Sequence, residues 1–340
     1  MTEQGTGRRI SFLVVLVIIF VSTITWLRTL SGGSSHGPRC HNTVPPEVLN
    51  YQQLPPEVEA LGAEILGGRD ALLKLVGKTK PPTAVRIADG RCMWLVQHPR
   101  DNSLRRLVKE VPKDEYHLKR LRGGGLMVDI GSNLGDQSIA AHMWDPDLQI
   151  VAIEPVPFTF LFLLWNLHLN AVPTITIASV GVPAGEVRSP GVVPLHAAIA
   201  GENAPPTVSL RWSAQQSQDA AVDLSDHGGT APGGAGKRWR TSQVKTVHLP
   251  TLLSGANAPL PLQLLKLDCE GCEYLFVASA AEWFGDRSKV LRVAGERHPF
   301  LGTANRSRET LASKVPLEIA ERAEAAFKAR KCRGGWRLDC

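Results

Sequence analysis

The segment LMVDIGSNLGDQS, residues 126–138, decides the fold. An apolar, strand-like run begins at Leu126 and ends at Asp129 and Ile130. A loop from Gly131 to Gly135 then leads into a helical pattern. A strand, a glycine-containing loop and a helix form the repeating unit of parallel α/β sheets, in which such loops bind nucleotide-like ligands. The segment therefore predicts a ligand-binding loop at the carboxyl end of a parallel strand.

The spacing of this loop narrows the class of ligand. The dinucleotide pattern G-x-G-x-x-G is absent because Asn133 stands where its second glycine would be, which argues against NAD-dependent oxidation. The loop reads acid-x-Gly-x-x-x-Gly instead, and a carboxylate suits a cofactor that carries ammonium and sulfonium groups better than a pyrophosphate. The predicted cofactor-binding residues of the loop are Asp129, Gly131, Ser132, Asn133 and Gly135.

A second acid, Glu154, ends the next predicted strand in IVAIEPVP, residues 150–157. An acid at this place accepts hydrogen bonds from both ribose hydroxyls of a nucleoside. The alternative is an acid that caps the following helix, an interpretation that fits Asp136 better than Glu154. Glu154 completes the predicted cofactor-binding set.

Further carboxylates follow an apolar strand in LLKLDCEGCEYLFV, residues 264–277. Asp268, Glu270 and Glu273 are candidate catalytic residues, which could orient a hydroxyl, act as a base or hold a divalent cation. The alternative is a helix N-terminus that acids stabilise. Asp268 ranks first as base or metal ligand because it ends a central strand.

Two other polar features lie close to these acids in the sequence. Cys269 and Cys272 form a C-x-x-C pair, but no second pair completes a zinc site, and we expect packing rather than redox activity. His298 follows another apolar strand and is either a proton acceptor or a structural histidine. We predict no bound metal and include His298 among the catalytic candidates.

Length and composition are those of a globular protein. The chain has 340 residues, 43% hydrophobic and 21% charged, which allows one large or two ordinary domains. The net charge is +6, but the basic residues are scattered, so nucleic acid is not an expected partner. The oligomeric state stays open.

The N-terminal pattern predicts attachment to a membrane. Residues 1–9 form a short tail, 10–28 an uncharged transmembrane signal anchor and 29–56 a Pro/Ser/Gly-rich stem. The positive-inside rule favours a type II single-pass protein with a lumenal domain in the ER or Golgi, which the six cysteines fit. A cleaved signal peptide is the alternative.

Strand and helix patterns alternate through the remainder, which predicts a doubly wound α/β fold with a mostly parallel sheet. Residues 57–120 are an N-terminal accessory part, and 121–340 are the main domain with a polar surface insertion at 213–242. The predicted strands are 126–130, 150–154, 192–200, 264–268, 290–295 and one near 334–338, with a hairpin turn at 89–90. The predicted helices are 57–75, 135–143, 158–170, 272–280 and 316–331.

Taken in order, LMVDIGSNLGDQS, VAIEPVPFTFLFLLWNLHLN, LLKLDCEGCEYLFV and GERHP resemble the FkbM family of S-adenosylmethionine-dependent methyltransferases. The resemblance spans about residues 121–338. It implies the class I methyltransferase (Rossmann-like) fold with a seven-stranded sheet, S-adenosyl-L-methionine as cofactor and methyl transfer to a hydroxyl. Asp129, Gly131, Asn133 and Gly135 match the family's first cofactor motif, and Glu154 its ribose-binding acid. The motif D-x-E-G-x-E is matched by Asp268, Glu270, Gly271 and Glu273.

The predicted function is O-methylation of a glycan, glycoconjugate, lipid-linked or other small-molecule acceptor by an enzyme anchored in the lipid bilayer. One alternative is a type II membrane glycosyltransferase, because Asp268-Cys269-Glu270 could imitate a metal-binding D-x-D motif. The other is a catalytically silent binding protein on the same fold. The residues do not identify the acceptor.

Overall fold

The computed structural model describes residues 40, 43–181, 189–213, 216–222, 239–269, 272–297, 317–332 and 337–340. Residues His41–Cys340 group into one compact unit. The predicted membrane anchor, residues 10–28, lies outside the described residues, and so does part of the predicted stem. None of the described helices has the length and apolar character needed to span a membrane.

The helices of the described chain lie mostly before and between the strands. The α-helices are α1 (Pro46–Leu49), α2 (Pro56–Leu66), α3 (Arg69–Val76), α4 (Ser103–Glu110), α5 (Asp136–Trp144), α6 (Pro157–Leu169), α7 (Leu249–Gly255), α8 (Cys272–Ser279), α9 (Ala281–Gly285) and α10 (Leu317–Ala329). Short 3-10 helices are formed by Val111–Lys113, Leu118–Arg120 and Ile177–Gly181.

The strands form three sheets. They are β1 (Thr83–Arg86), β2 (Cys92–Leu95), β3 (Gly125–Ile130), β4 (Leu148–Ile153), β5 (Gly191–Leu195), β6 (Ala198–Ile199), β7 (Thr207–Ser213), β8 (Gln216–Val222), β9 (Trp239–Val247), β10 (Leu264–Leu267), β11 (Val293–Glu296) and β12 (Arg337–Asp339).

The main sheet has the strand order β12-β11-β10-β3-β4-β5. All neighbours in it are parallel except β12, which runs antiparallel to β11. Counted along the chain, this order is that of a doubly wound Rossmann-like sheet, in which the strand order reverses between the first and fourth strands, here β3 and β10. The central strands are buried on both faces, as expected for a parallel sheet covered by helices.

The predicted mixed α/β fold with a mostly parallel sheet is confirmed. Within the described residues the main sheet has six strands, not the seven that the resemblance implies. The predicted strand 192–200 is divided into β5, in the main sheet, and β6, which pairs with β9 in another sheet. The sequence did not show this change of sheet because the segment is apolar except for His196, a pattern that specifies burial but not a strand partner.

The segment 213–242, predicted to be a polar surface insertion, is partly β-structure. β7 pairs antiparallel with both β8 and β9, and together with β6 they form a four-stranded sheet. Residues 223–238 lie outside the described residues. The polar composition concealed these strands because an antiparallel sheet needs only one apolar face.

The predicted helix 57–75 is two helices, α2 and α3. Gly67 and Gly68 separate them, with φ angles of 77° and 143° that a residue with a side chain rarely adopts. The predicted hairpin at 89–90 is confirmed by the antiparallel pairing of β1 with β2.

Helix α6 connects this N-terminal part to the main sheet. It is apolar around most of its surface because α1, α2 and β2 cover it on the side away from the sheet. Two asparagines of α6 accept hydrogen bonds from the backbone at β2, as a neighbouring strand would. Oδ1 of Asn166 accepts from the amide of Val96, and Oδ1 of Asn170 accepts from the amide of Trp94, both at 2.8 Å. Asn166 also donates to the carbonyl of Leu134 at 2.9 Å, so the N-terminal part is tied to the predicted cofactor loop.

Candidate functional site

The candidate site lies at the carboxyl ends of β4, β3 and β10, which are adjacent in the sheet. Ile130 at the end of β3 pairs with Ile153 of β4 on one side and with Leu267 of β10 on the other. The loops that follow the three strands carry Asp268, Glu154 and the predicted cofactor loop. This edge is the switch point at which open α/β sheets bind ligands, because the crossovers on either side leave in opposite directions.

Backbone contacts fix the start of the cofactor loop. The amides of Gly131 and Ser132 both donate to the carbonyl of Ile153, at 3.0 and 3.1 Å, and the Ser132 hydroxyl donates to the carbonyl of Asp129 at 2.8 Å. Gly131 has a φ of 75°, and a Cβ added to it would lie 1.8 Å from the carbonyl oxygen of Asp268. Glycine is required here because the loops after β3 and β10 touch.

Glu154, which follows β4, is hydrogen bonded to Asn133 in the loop after β3. The amide of Asn133 donates to Oε2 of Glu154 and the amide of Val156 donates to Oε1, both at 2.9 Å. Glu154 is 4% exposed. Burial raises the pKa of Glu154 to about 7, although the two amide hydrogen bonds act in the opposite direction. Glu154 is therefore a carboxylate that changes charge near neutral pH.

The side-chain amide of Asn133 has an unused hydrogen-bond acceptor. Its Oδ1 atom is buried and has no hydrogen-bond partner among the described residues. A buried acceptor without a donor is unfavourable, and in native structures it commonly marks the place of a water or a ligand. Asn133 therefore offers a position for a donor group of a bound molecule.

The carboxylate of Asp129 is held inside the protein. Its Oδ1 lies 3.0 Å from Nζ of Lys266, the residue opposite it in the β3–β10 register, and its Oδ2 accepts from the hydroxyl of Ser138 at 2.7 Å. Nζ of Lys266 also donates to the carbonyl of Gly131 at 2.7 Å. Burial alone would lower the pKa of Lys266, but Asp129 and Asp268 outweigh it and raise this pKa above its ordinary value. The charge of Asp129 is thus balanced from within the chain.

Asp268 is the more accessible carboxylate. Its side chain is 18% exposed, its Oδ2 accepts a hydrogen bond of 2.9 Å from the hydroxyl of Tyr116, and the same oxygen is 3.9 Å from Nζ of Lys266. Burial, followed by the carboxylate of Asp268, raises the pKa of Tyr116 well above its ordinary value. Tyr116 therefore stays protonated and donates, which orients the Asp268 carboxylate toward one side of the site.

Another buried acid, Asp136, begins helix α5. It is 4% exposed, and its Oδ2 accepts from the side-chain amide of Gln137 at 2.8 Å. Burial raises the pKa of Asp136 to about 6, while Lys266 acts to lower it. With Asp129, Asp136, Glu154 and Asp268 around a single buried lysine, the site has an excess of acidic groups.

Cys269 and Cys272, which the sequence predicts to pack, do pack against the hydrophobic core, and they are also joined by a disulfide. Their positions on either side of the turn into α8 bring the two sulfur atoms together. Glu273 is fully buried, and the three side chains lie within 4.8 Å of one another. This cluster does not make a metal site, because the two sulfur atoms are bonded to each other.

The structure thus places Asp129, Asn133, Glu154 and Asp268 at one edge of the sheet, as the sequence predicted. Glu273 is buried in the protein interior, whereas Glu270, Gly271 and His298 fall outside the described residues. Sequence reasoning missed Lys266 and Tyr116. Lys266 had a detectable signal, since a lysine within the apolar run LLKLD must be buried and therefore needs an acidic partner.

No family model matches the chain. No curated protein matches it either. The resemblance to the FkbM family therefore remains a prediction from the motifs. The structure provides the fold and the geometry of the site.

Proposed function

We propose that the chain is an S-adenosylmethionine-dependent methyltransferase of the FkbM type that methylates a hydroxyl group. The observation that carries the proposal is the meeting of the acid-x-Gly-x-x-x-Gly loop, Glu154 and Asp268 at the switch point of the main sheet. The strand order also supports a class I methyltransferase fold.

The residues at this edge fit the cofactor. Glu154 would hold the ribose hydroxyls, because each of its carboxylate oxygens accepts only one amide hydrogen bond from the described residues and has capacity for another. Loop residues 131–135 would hold the amino-acid end, where Oδ1 of Asn133 is a buried acceptor without a donor. Asp129 supports the loop through Lys266 rather than contributing an unbalanced charge.

The cofactor supplies an electrophilic methyl group, and the protein supplies position and exclusion of water. Asp268 would accept the proton that the acceptor hydroxyl loses, and its partial exposure allows an acceptor to approach. Tyr116 is a positioning residue, because its hydroxyl donates to Oδ2 of Asp268 and so holds the carboxylate in place. Such proton transfer contributes about 10²–10⁴-fold to a rate.

We further propose that residues 10–28 anchor the enzyme in the membrane and that the domain is lumenal, in the ER or Golgi. The Cys269–Cys272 and Cys332–Cys340 disulfides support an oxidising compartment. A lumenal location favours a hydroxyl of a glycan, glycoconjugate or lipid-linked molecule as the acceptor.

The first experiment is calorimetry of the full chain with S-adenosylmethionine and, separately, with UDP-sugars and Mn²⁺. We expect binding of S-adenosylmethionine, its loss in Glu154→Ala and unchanged binding in Glu318→Gln, which alters an exposed acid on α10. Binding of nucleotide sugars alone would replace the methyltransferase proposal with the glycosyltransferase.

The second experiment screens sugar and lipid acceptors with cofactor labelled in its methyl group. We expect Asp268→Asn to bind the cofactor normally and to transfer the label at least about a hundredfold more slowly. If Asp268→Asn turned over at the normal rate, the role of Asp268 as proton acceptor would be wrong. Cofactor binding without transfer to any acceptor would favour the silent binding protein.

A further inference from the structure

A cleft whose lining does not include Glu154 or Asp268 lies in the N-terminal part of the domain. Its volume is about 510 Å³, within the range of pockets that bind small molecules. β2, helix α4 and the segment that joins them form its walls. Its apolar lining includes the exposed side chain of Val108 of α4, together with Leu95, Val96 and Leu104, which are buried.

Three cations line the same cleft: Lys80, Arg105 and Lys109. All three are exposed, and none makes a side-chain hydrogen bond or an ion pair with another residue in the described part of the chain. The lining contains one acid, Asp101, whose Oδ1 accepts from both the amide and the hydroxyl of Ser103 at 2.9 and 2.7 Å, so three cations stand against one carboxylate. The lining therefore carries a net positive charge above an apolar surface.

Two helices, α4 and α6, connect the cleft with the site of Glu154 and Asp268. Helix α4 carries Arg105 in the cleft and Arg106 on a neighbouring side, where the carboxylates of Glu110, Asp268 and Glu296 act on its guanidinium group. His98, which lines the cleft, packs edge-to-face on Phe158 of α6 at 5.2 Å between ring centres. Phe158 follows the turn that Glu154 stabilises, so α6 links the lining of the cleft to the proposed cofactor site.

We infer that this cleft binds an anionic group of the acceptor, a phosphate, sulfate or carboxylate carried on a sugar-sized molecule. The inference rests on the proposed methyl transfer and adds the chemical class of the acceptor to it. Arg105 and Lys109 are one helical turn apart on α4 and would hold the anion by charge-assisted hydrogen bonds. The apolar face of the sugar ring would lie against Val108, which is 39% exposed.

The test measures binding by the full chain in a neutral detergent. The probes are glucose 6-phosphate, glucose 6-sulfate and glucuronate, with glucose as the neutral comparison. The variant Arg105→Gln/Lys109→Gln removes two charges from the cleft, and Lys74→Gln/Lys328→Gln removes two exposed charges outside it. Lys80→Gln is a third variant, which changes the cleft outside any helix.

We expect at least one anionic probe to bind more tightly than glucose, and the cleft variant to weaken it by about tenfold or more. Lys80→Gln should weaken it in the same direction, whereas the control variant should leave it unchanged. The inference is overturned if glucose binds as tightly as all three anionic probes, if the cleft variants bind normally, or if the control weakens binding as much.

S-adenosylmethionine binding is measured on the same preparations, so that the two proposals fail separately. We expect every one of these variants to bind the cofactor as the unaltered chain does. Charge-dependent sugar binding in a chain that does not bind S-adenosylmethionine would overturn the methyltransferase and leave an anion-binding cleft. Normal cofactor binding without charge-dependent sugar binding would overturn only the cleft.

Discussion

The raised pKa of Glu154 predicts that cofactor affinity depends on pH. Ribose hydroxyls donate hydrogen bonds, so they favour the ionised carboxylate over the protonated one. Because burial raises the pKa of Glu154 to about 7, the unliganded protein is mostly protonated at this residue below pH 7. The affinity for S-adenosylmethionine or S-adenosylhomocysteine should therefore increase as the pH rises through 7.

The size of the effect follows from the fraction of ionised Glu154. With a pKa of about 7, roughly one molecule in eleven is ionised at pH 6 and roughly ten in eleven at pH 8. If only the ionised form binds, the dissociation constant at pH 6 is about ten times that at pH 8, or about 1.4 kcal/mol in binding free energy.

The raised pKa of Glu154 also makes the stability of the unliganded protein depend on pH, but in the opposite direction: stability decreases as the pH rises. The folded pKa of Glu154 is above its ordinary value of 4.5, so the folded state binds more protons than the unfolded state between these two pH values. The contribution of this group to stability is complete below about pH 4.5 and is lost as the pH rises through 7. The loss amounts to about 3 kcal/mol.

The assay is calorimetric titration with S-adenosylhomocysteine at pH 6, 7 and 8. The unaltered chain should show the tenfold change, and Glu154→Gln should bind weakly with no such dependence. Asp136→Asn is the control, because Asp136 has a pKa of about 6 and lies near Lys266 but is not a proposed ligand of the ribose. Equal affinity at pH 6 and pH 8, or a tenfold change that persists in Glu154→Gln, would refute the reasoning.

Three further predictions concern the stability of the site and of the chain's end. Lys266→Met leaves a buried carboxylate without its cation and should lower the free energy of unfolding by about 3–5 kcal/mol in urea titrations; an unchanged midpoint would contradict the ion pair. Gly131→Ala places a Cβ 1.8 Å from a backbone oxygen and should cost more than about 2 kcal/mol by thermal melting, whereas Gly255→Ala, with open space around it, should cost nothing. Cys332→Ser/Cys340→Ser opens a short loop and should lower the free energy of unfolding by about 2–3 kcal/mol; equal melting with and without reductant would count against it.

Much of the main sheet was predictable because its signals are local. The strand predictions near residues 126–130, 150–154 and 264–268 are confirmed, since each is a short apolar run that ends at an acid or a glycine. Segment 192–200 was not predictable in the same way. An apolar run specifies burial, and only the neighbouring strands decide that it is shared between two sheets.

The candidate site shows the same division. Asp129, Asn133, Glu154 and Asp268 were identifiable because each belongs to a strand-to-loop junction that is visible in the sequence. The placement of Glu154 in the interior, with its amide partners, was not visible, because its burial depends on Asn133 of another loop.

The sequence by itself determined the central strands of the main sheet, the glycine-containing loop and the acids at the strand ends, because periodicity and turn chemistry act over a few residues. The tertiary structure alone decided which charges meet. Lys266 neutralises Asp129 because β10 pairs with β3 in one register, and Tyr116 reaches Asp268 across 152 residues of sequence. Such contacts depend on the packing of distant segments, so only the tertiary structure determines the balance of charge at the site.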